Sequence, residues 1–202
     1  MTSGKARAGA KTLLPVFVAL AIAGCSLFRG PPPVTYELTA PESIPKLRAG
    51  TAAQIMIPEP RALKVLDSER IVVTTYSMIS YYPDAQWADR LPAVFQAKAI
   101  EAFEQSKRAR AVGRPGEGLS IDYQLLIDIR TFEYNTSTDQ GFARIEISAK
   151  ILNDRNGRVV ATRVLSAETP VTDDGAEGVV AALDATLGQV LVDLVRWTVE
   201  KV

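Results

Sequence analysis

The chain has 202 residues, with 23 basic and 23 acidic side chains, no histidine and one cysteine. That length suits one domain with a substantial core, and a single cysteine leaves no intrachain disulfide. The absence of histidine removes the usual general base, the Ser-His-Asp and Cys-His arrangements and the commonest metal ligand, while balanced charge argues against nucleic acid as a partner.

Lys5, Arg7 and Lys11 precede an apolar run from Leu13 to Ala23, which closes in Ile22-Ala23-Gly24-Cys25-Ser26. Basic, apolar and small-residue zones in that order are the anatomy of a secretory signal peptide. The run is shorter than the roughly 20 residues of a membrane span, and Pro15 interrupts it. The small-residue, Gly, Cys ending resembles the bacterial lipobox, which implies that Cys25 is the lipid attachment site; a free structural thiol is the alternative. Residues 1–24 are expected to be a lipoprotein signal peptide. Residues 25–34 are expected to be the lipidated N-terminus and a Pro-rich tether, and 35–202 a single periplasmic domain. By the same resemblance the anchor carries palmitate and related acyl chains, and more than one chain holds a protein stably. A non-acidic residue at Ser26 implies export to the outer membrane.

Pro31-Pro32-Pro33 favours polyproline II, a semi-rigid spacer that reaches about 25–30 Å at ~3.1 Å per residue. Removing the first 24 residues leaves 20 basic against 23 acidic side chains, which argues against a polybasic membrane-surface binder. Tyr36 to Thr39 reads as a short strand. Ala53 to Ile57 reads as a second, ended by Pro58 and Pro60. Ile71 to Ser80 is rich in β-branched and aromatic residues and predicts a third. Residues 81–87 read as a loop. Asp89 is placed to cap a helix with Pro92 in its first turn. Leu91, Val94, Phe95, Ala99, Ala102 and Phe103 form its apolar face, and it should end by Arg108 or Arg110.

In residues 120–134, Ile121, Tyr123, Leu125, Ile127 and Ile129 alternate with Asp122, Gln124, Asp128 and Arg130, and in 142–152 Ala143, Ile145, Ile147, Ala149 and Ile151 alternate with Arg144, Glu146, Ser148 and Lys150, so each should be a strand with one buried face. Asn156-Gly157 supplies a turn cue, and Val159 to Glu168 returns as the third strand of a meander. Asp173-Asp174-Gly175 opens a long amphipathic helix carrying Val180, Leu183, Leu187, Val190, Leu191 and Leu194. The fold class is therefore α+β: an antiparallel-rich sheet with a C-terminal three-strand meander, covered by two amphipathic helices. No Walker loop or GxGxxG occurs, and carboxylates alone make a poor zinc site. No enzyme, cofactor or metal is expected.

This layout resembles the ABC-type transport auxiliary lipoproteins across almost the whole chain. The resemblance is carried by the lipobox at 22–25, Tyr36-Glu37-Leu38, Ala53–Pro58, Ile71–Tyr82 leading into Trp87-Ala88-Asp89-Arg90-Leu91-Pro92, and the meander closed by a helix. It implies a periplasmic accessory of a transporter with an MCE-type substrate-binding protein, moving lipids between inner and outer membranes. The partners implied are that MCE-type protein and the membrane, through the N-terminal lipid, with a homo-oligomer as a further option. Docking onto such an assembly needs exposed aromatics that can be desolvated. Tyr81, Tyr82 and Trp87 are the candidates, with Asp84 and Arg90 as rim charges; Trp87 could instead staple the helix start to the core. Two other functions fit a small tethered domain. One is a structural or regulatory envelope lipoprotein acting in outer-membrane assembly or on a cell-wall synthase. The other is a direct lipid carrier, which would need a continuous apolar cavity.

Overall fold

The computed structural model describes residues 1–2, 32–44 and 50–202. The chain divides into two units, Met1–Pro32 and Pro33–Val202, and the fold below is that of the second. Cys25 and the lipobox lie outside the described residues.

Among the described residues, nine strands and two helices occur: β1 Val34–Tyr36, β2 Gln54–Met56, β3 Arg61–Ala62, β4 Arg70–Thr75, β5 Met78–Trp87, α1 Leu91–Ser106, β6 Ala111–Gly113, β7 Tyr123–Asn135, β8 Phe142–Asn153, β9 Val159–Pro170 and α2 Ala176–Lys201. The mixed α+β class holds, and so does the meander. β7, β8 and β9 pair antiparallel over nearly their full lengths, from Tyr123↔Asn153 to Asn135↔Phe142 and from Leu152↔Val159 to Phe142↔Pro170. Alternation explains the pairing: Ala143, Ile145, Ile147, Ala149 and Ile151 are each 0% exposed on one face, while Arg144, Glu146 and Lys150 occupy the other. A register shift between Ile129 and Thr131 resets the alternation, so Phe132 and Tyr134 continue the buried face that Leu125, Ile127 and Ile129 begin.

Antiparallel ladders supply most of the pairing, but the sheet is mixed rather than purely antiparallel. The second edge of β7 is tiled in parallel by three short strands: β2 at Tyr123–Gln124, β3 at Asp128–Ile129 and β4 at Glu133–Asn135. Beyond these, β6 pairs β2 in parallel, and β5 pairs β4 antiparallel with β1 parallel on its far side. β3 and β6 have two and three residues, too few to show a period, which is why the sequence carries no sign of them.

The core lies between sheet and helices. α2 lays Leu183, Leu187, Leu191 and Leu194, each 0% exposed, across β7, β8 and β9. Its length and apolar content also match a membrane span, but these packed leucines make it a core helix. It starts at Ala176, with Gly175 as N-cap and Glu177 in its first turn. α1 buries Leu91, Val94, Phe95, Ala99, Ala102 and Phe103 as expected, and Pro92 sits in its first turn. Its start differs from expectation, while its end falls before Arg108 as expected. Arg90 rather than Asp89 is the N-cap residue, with no side-chain cap, because the Asp89 carboxylate accepts the Arg90 N–H at 2.6 Å instead. The helix stops at Ser106 because Lys107 turns left-handed at φ 53° and donates its N–H to the Glu104 carbonyl.

Candidate docking site on the β4–β5 hairpin

Residues 70–87 form a hairpin, not one strand followed by a loop. Thr75↔Met78, Thr74↔Ile79, Val73↔Ser80 and Val72↔Tyr81 are in register, and the next pair is Arg70↔Gln86. Tyr76 and Ser77 make the turn, with Tyr76 at φ 54°. No Gly or Asn marks it, so the sequence reads as an uninterrupted strand. Between Tyr81 and Gln86 the chain bulges outward. Pro83, which has no N–H to donate, and Asp84, at φ 52°, fall in this bulge, where the missing donor costs no ladder bond.

The turn is tied to the end of β7. Thr74 Oγ1 donates to Glu133 Oε2 at 2.7 Å, Thr75 and Thr136 share a hydroxyl–hydroxyl bond of 2.6 Å, and the Tyr76 N–H donates to Ser137 Oγ at 2.7 Å. Tyr76, Met78 and Ile79 project from this fixed base, 77%, 65% and 57% exposed. Sequence reasoning missed these three residues. The available signal was a run from Ile71 to Pro83 without one charged side chain.

The hairpin separates the residues that the sequence grouped. Tyr81 is half-buried, with the Arg70 guanidinium 3.4 Å from its ring centroid, a cation–π contact. Tyr82 is half-buried, and its hydroxyl donates to the Asp174 carbonyl at 2.6 Å, joining the bulge to the start of α2. Burial first, and the Asp174 carboxylate second, push the Tyr82 hydroxyl above its ordinary pKa. Asp84 is exposed.

Trp87 is corrected from an exposed aromatic to a core residue. It is 1% exposed and meets Phe132 edge to face at 5.9 Å and 84°. Its backbone N–H donates to the Glu69 carbonyl, and the next N–H, of Ala88, donates to Tyr36. The end of β5 is thereby pinned between β4 and β1, and the indole points inward. Arg90 bridges Glu59 and Asp67, and its pKa is raised by the Glu59 bond first and the Asp67 bond next. Among the described residues, no hydrogen bond, ion pair or ring contact joins Arg90 to Tyr81 or Tyr82.

Among the described residues, no three His, Cys, Asp or Glu side chains converge to hold a metal ion. A concavity of about 180 Å³ between β3 and β7 is lined by Glu59, Arg61, Asp128 and Lys150 with Pro58, Leu126 and Ile127, a small wall of mixed charge and apolar surface rather than the continuous apolar cavity of several hundred Å³ that a lipid carrier needs.

Comparison with known proteins gives consistent matches. The family described as ABC-type transport auxiliary lipoprotein component matches residues 36–195. The crystal structure of protein XCC0632 from Xanthomonas campestris is 30% identical, with a TM-score of 0.77, covering 83% of this chain and 96% of that one. Protein bll6063 of Bradyrhizobium diazoefficiens is 35% identical over 168 residues, covering 82% of this chain; the chain spans less than half, 45%, of that curated relative. The Chlamydia trachomatis protein CT253 shares the fold alone, at 7% identity and a TM-score of 0.53, covering 75% of this chain and 98% of that one.

Proposed function

Because this chain belongs to the ABC-type transport auxiliary lipoprotein component family, we propose that it is the lipid-anchored accessory of an MCE-type lipid transport system, docking the assembly at the outer membrane. The family is an auxiliary component of transport, not a known enzyme family, and its lipoprotein character implies a membrane-anchored place in the envelope. The finer reading is non-catalytic: periplasmic, held by acyl chains on Cys25, with the domain presenting a protein-binding surface. The match across residues 36–195 carries this reading. The surface offered is the flank of the hairpin at Tyr81, Tyr82 and Asp84. There two half-buried rings stand ready to be covered, and the bulge is already ordered by the bond to Asp174. Arg90, held by Glu59 and Asp67 with its side chain 43% exposed, is a separate candidate contact rather than a part of this flank.

The test is recovery of the MCE-type protein with this chain from detergent-solubilised membranes. Tyr81→Ala with Tyr82→Ala should weaken recovery, by about 30-fold in affinity if one ring is a hot spot of ~2 kcal/mol. The double variant should keep its fold by circular dichroism. Undiminished recovery would remove this flank from the docking surface, and failure of the native chain to bring down any MCE-type protein would remove the transport partner.

A further inference from the structure

Tyr76, Met78 and Ile79 stand clear of the domain on a turn whose backbone is already fixed by Thr136 and Ser137. The uncharged run from Ile71 to Pro83 means that no charge must be stripped of water if this tip enters an apolar medium. The direction of the chain adds a second observation. β1 runs parallel to β5 with Val34 level with Ala85, so the N-terminal end of β1 points toward the hairpin turn. Between the Arg70↔Gln86 and Thr75↔Met78 pairs the hairpin advances five residues of β4. At ~3.3 Å per residue the tip therefore lies about 15 Å beyond β1. Cys25 precedes Val34 by nine residues, a span of at most about 30 Å. The tether is longer than the projection of the tip, so both can reach one bilayer.

We propose that the hairpin tip is a second membrane contact, placing Tyr76, Met78 and Ile79 in the boundary between headgroups and acyl chains of a zwitterionic phospholipid surface. This rests on the reading of Cys25 as the lipid anchor. Tyrosine suits that boundary, with an apolar ring and a wet hydroxyl. Ser77 and Ser80 stay among the headgroups, and the two apolar side chains go deeper. The choice of neutral lipid follows from the excess of acidic residues at this end of the sheet: Arg144 sits between Glu133 and Glu168, and Asp139 near the β7 end and Asp173, Asp174 and Glu177 around the start of α2 add further negative charge. The Tyr82–Asp174 bond sets the group at the start of α2 behind the tip, where anionic headgroups would repel it. Acyl chains on Cys25 would hold the chain to the bilayer, and a second contact at the tip would fix the domain's orientation on it.

The experiment uses the full chain purified from membranes and carrying M78W, in phosphatidylcholine vesicles with or without acyl-brominated lipid. The native indoles of Trp87 and Trp197 are 1% and 3% exposed, so the introduced indole alone should respond. The expected result is a blue shift and loss of its emission with brominated lipid, both reduced when Tyr76→Ser and Ile79→Ser are added. Mass analysis of Cys25 and vesicle flotation report the anchor separately. A floating, acylated chain whose introduced indole is unquenched overturns the proposal, leaves the anchor intact and assigns the tip to a protein partner or to solvent. An unacylated Cys25 overturns the anchor reading and this proposal with it. Equal quenching in vesicles rich in phosphatidylglycerol would overturn the preference for neutral lipid.

Discussion

Trp87 carries the clearest contrast between composition and environment. A tryptophan beside two tyrosines and a proline has the makings of an interface, yet its ring lies against Phe132 at 1% exposure, and its backbone closes the ladder to Glu69. Trp87→Ala should cost about 3–5 kcal/mol, the usual loss when a buried aromatic leaves a cavity. Urea denaturation will measure it, and a change below 1 kcal/mol would contradict the packing seen here. Asp122 has a role at the other end of the sheet. One carboxylate oxygen accepts the Gln54 N–H at 3.1 Å, and the other accepts from Arg155 at 2.9 Å. The backbone bond first, and the Arg155 bond second, hold its pKa below the ordinary 3.8. A depressed folded-state pKa contributes stability that is present above the unfolded value of 3.8 and is lost as pH falls through the folded value. Asp122→Asn should therefore lower stability at neutral pH and shrink the gap from native as pH drops below 3.8. Denaturation midpoints across that range test this, and parallel curves for the two proteins would reject it. Most of the effect should survive Arg155→Ala, because that arginine is 79% exposed and a screened surface pair is worth little.

At the scale of elements, legibility tracks the length of the repeating pattern. β7, β8 and β9 run 12 or 13 residues, enough for alternation to reveal strands and faces before any coordinates. α2, at 26 residues, is equally plain. The pairing of the short parallel strands is invisible in the same sequence, even where the strand itself is legible at 53–57, because their partners lie far along the chain: Ile55 pairs Val112 and Tyr123, and Arg61 pairs Asp128. No local period reports such pairing, so the parallel part of the sheet is not legible in the sequence. The hairpin failed differently. Its turn uses Tyr76 in a left-handed conformation, a choice local propensity argues against. The Ser137 bond to the Tyr76 N–H supplies tertiary support that the sequence cannot display. The same mechanism hid the candidate surface. Tyr81 and Tyr82 were visible as aromatics, but the more exposed Tyr76, Met78 and Ile79 were assigned to the interior of a strand.

At the scale of the molecule, β7 is the spine. One edge carries the meander and the other carries three separate segments in chain order, so the N-terminal half is fastened to the C-terminal half along the full length of one strand. That fastening makes the domain one mechanical unit, in which the N-terminal end of β1 and the hairpin turn lie toward the same end of the sheet. The proposed attachment rests on Cys25, which precedes the unit Pro33–Val202 that holds the described core cluster from Leu38 to Val199. Cys25→Ala should accordingly leave the domain folded, with an unchanged denaturation midpoint, while releasing it from membranes after signal-peptide removal. Fractionation after carbonate washing measures the release. The exposed tip sharpens the expectation. A three-residue apolar contact without an acyl anchor holds a bilayer only weakly and reversibly, so the variant should partition into the soluble fraction and still associate with concentrated neutral vesicles. Full retention of a processed Cys25→Ala chain in washed membranes would contradict the anchor. Full release with no residual vesicle affinity would leave the anchor standing and deny the tip its part.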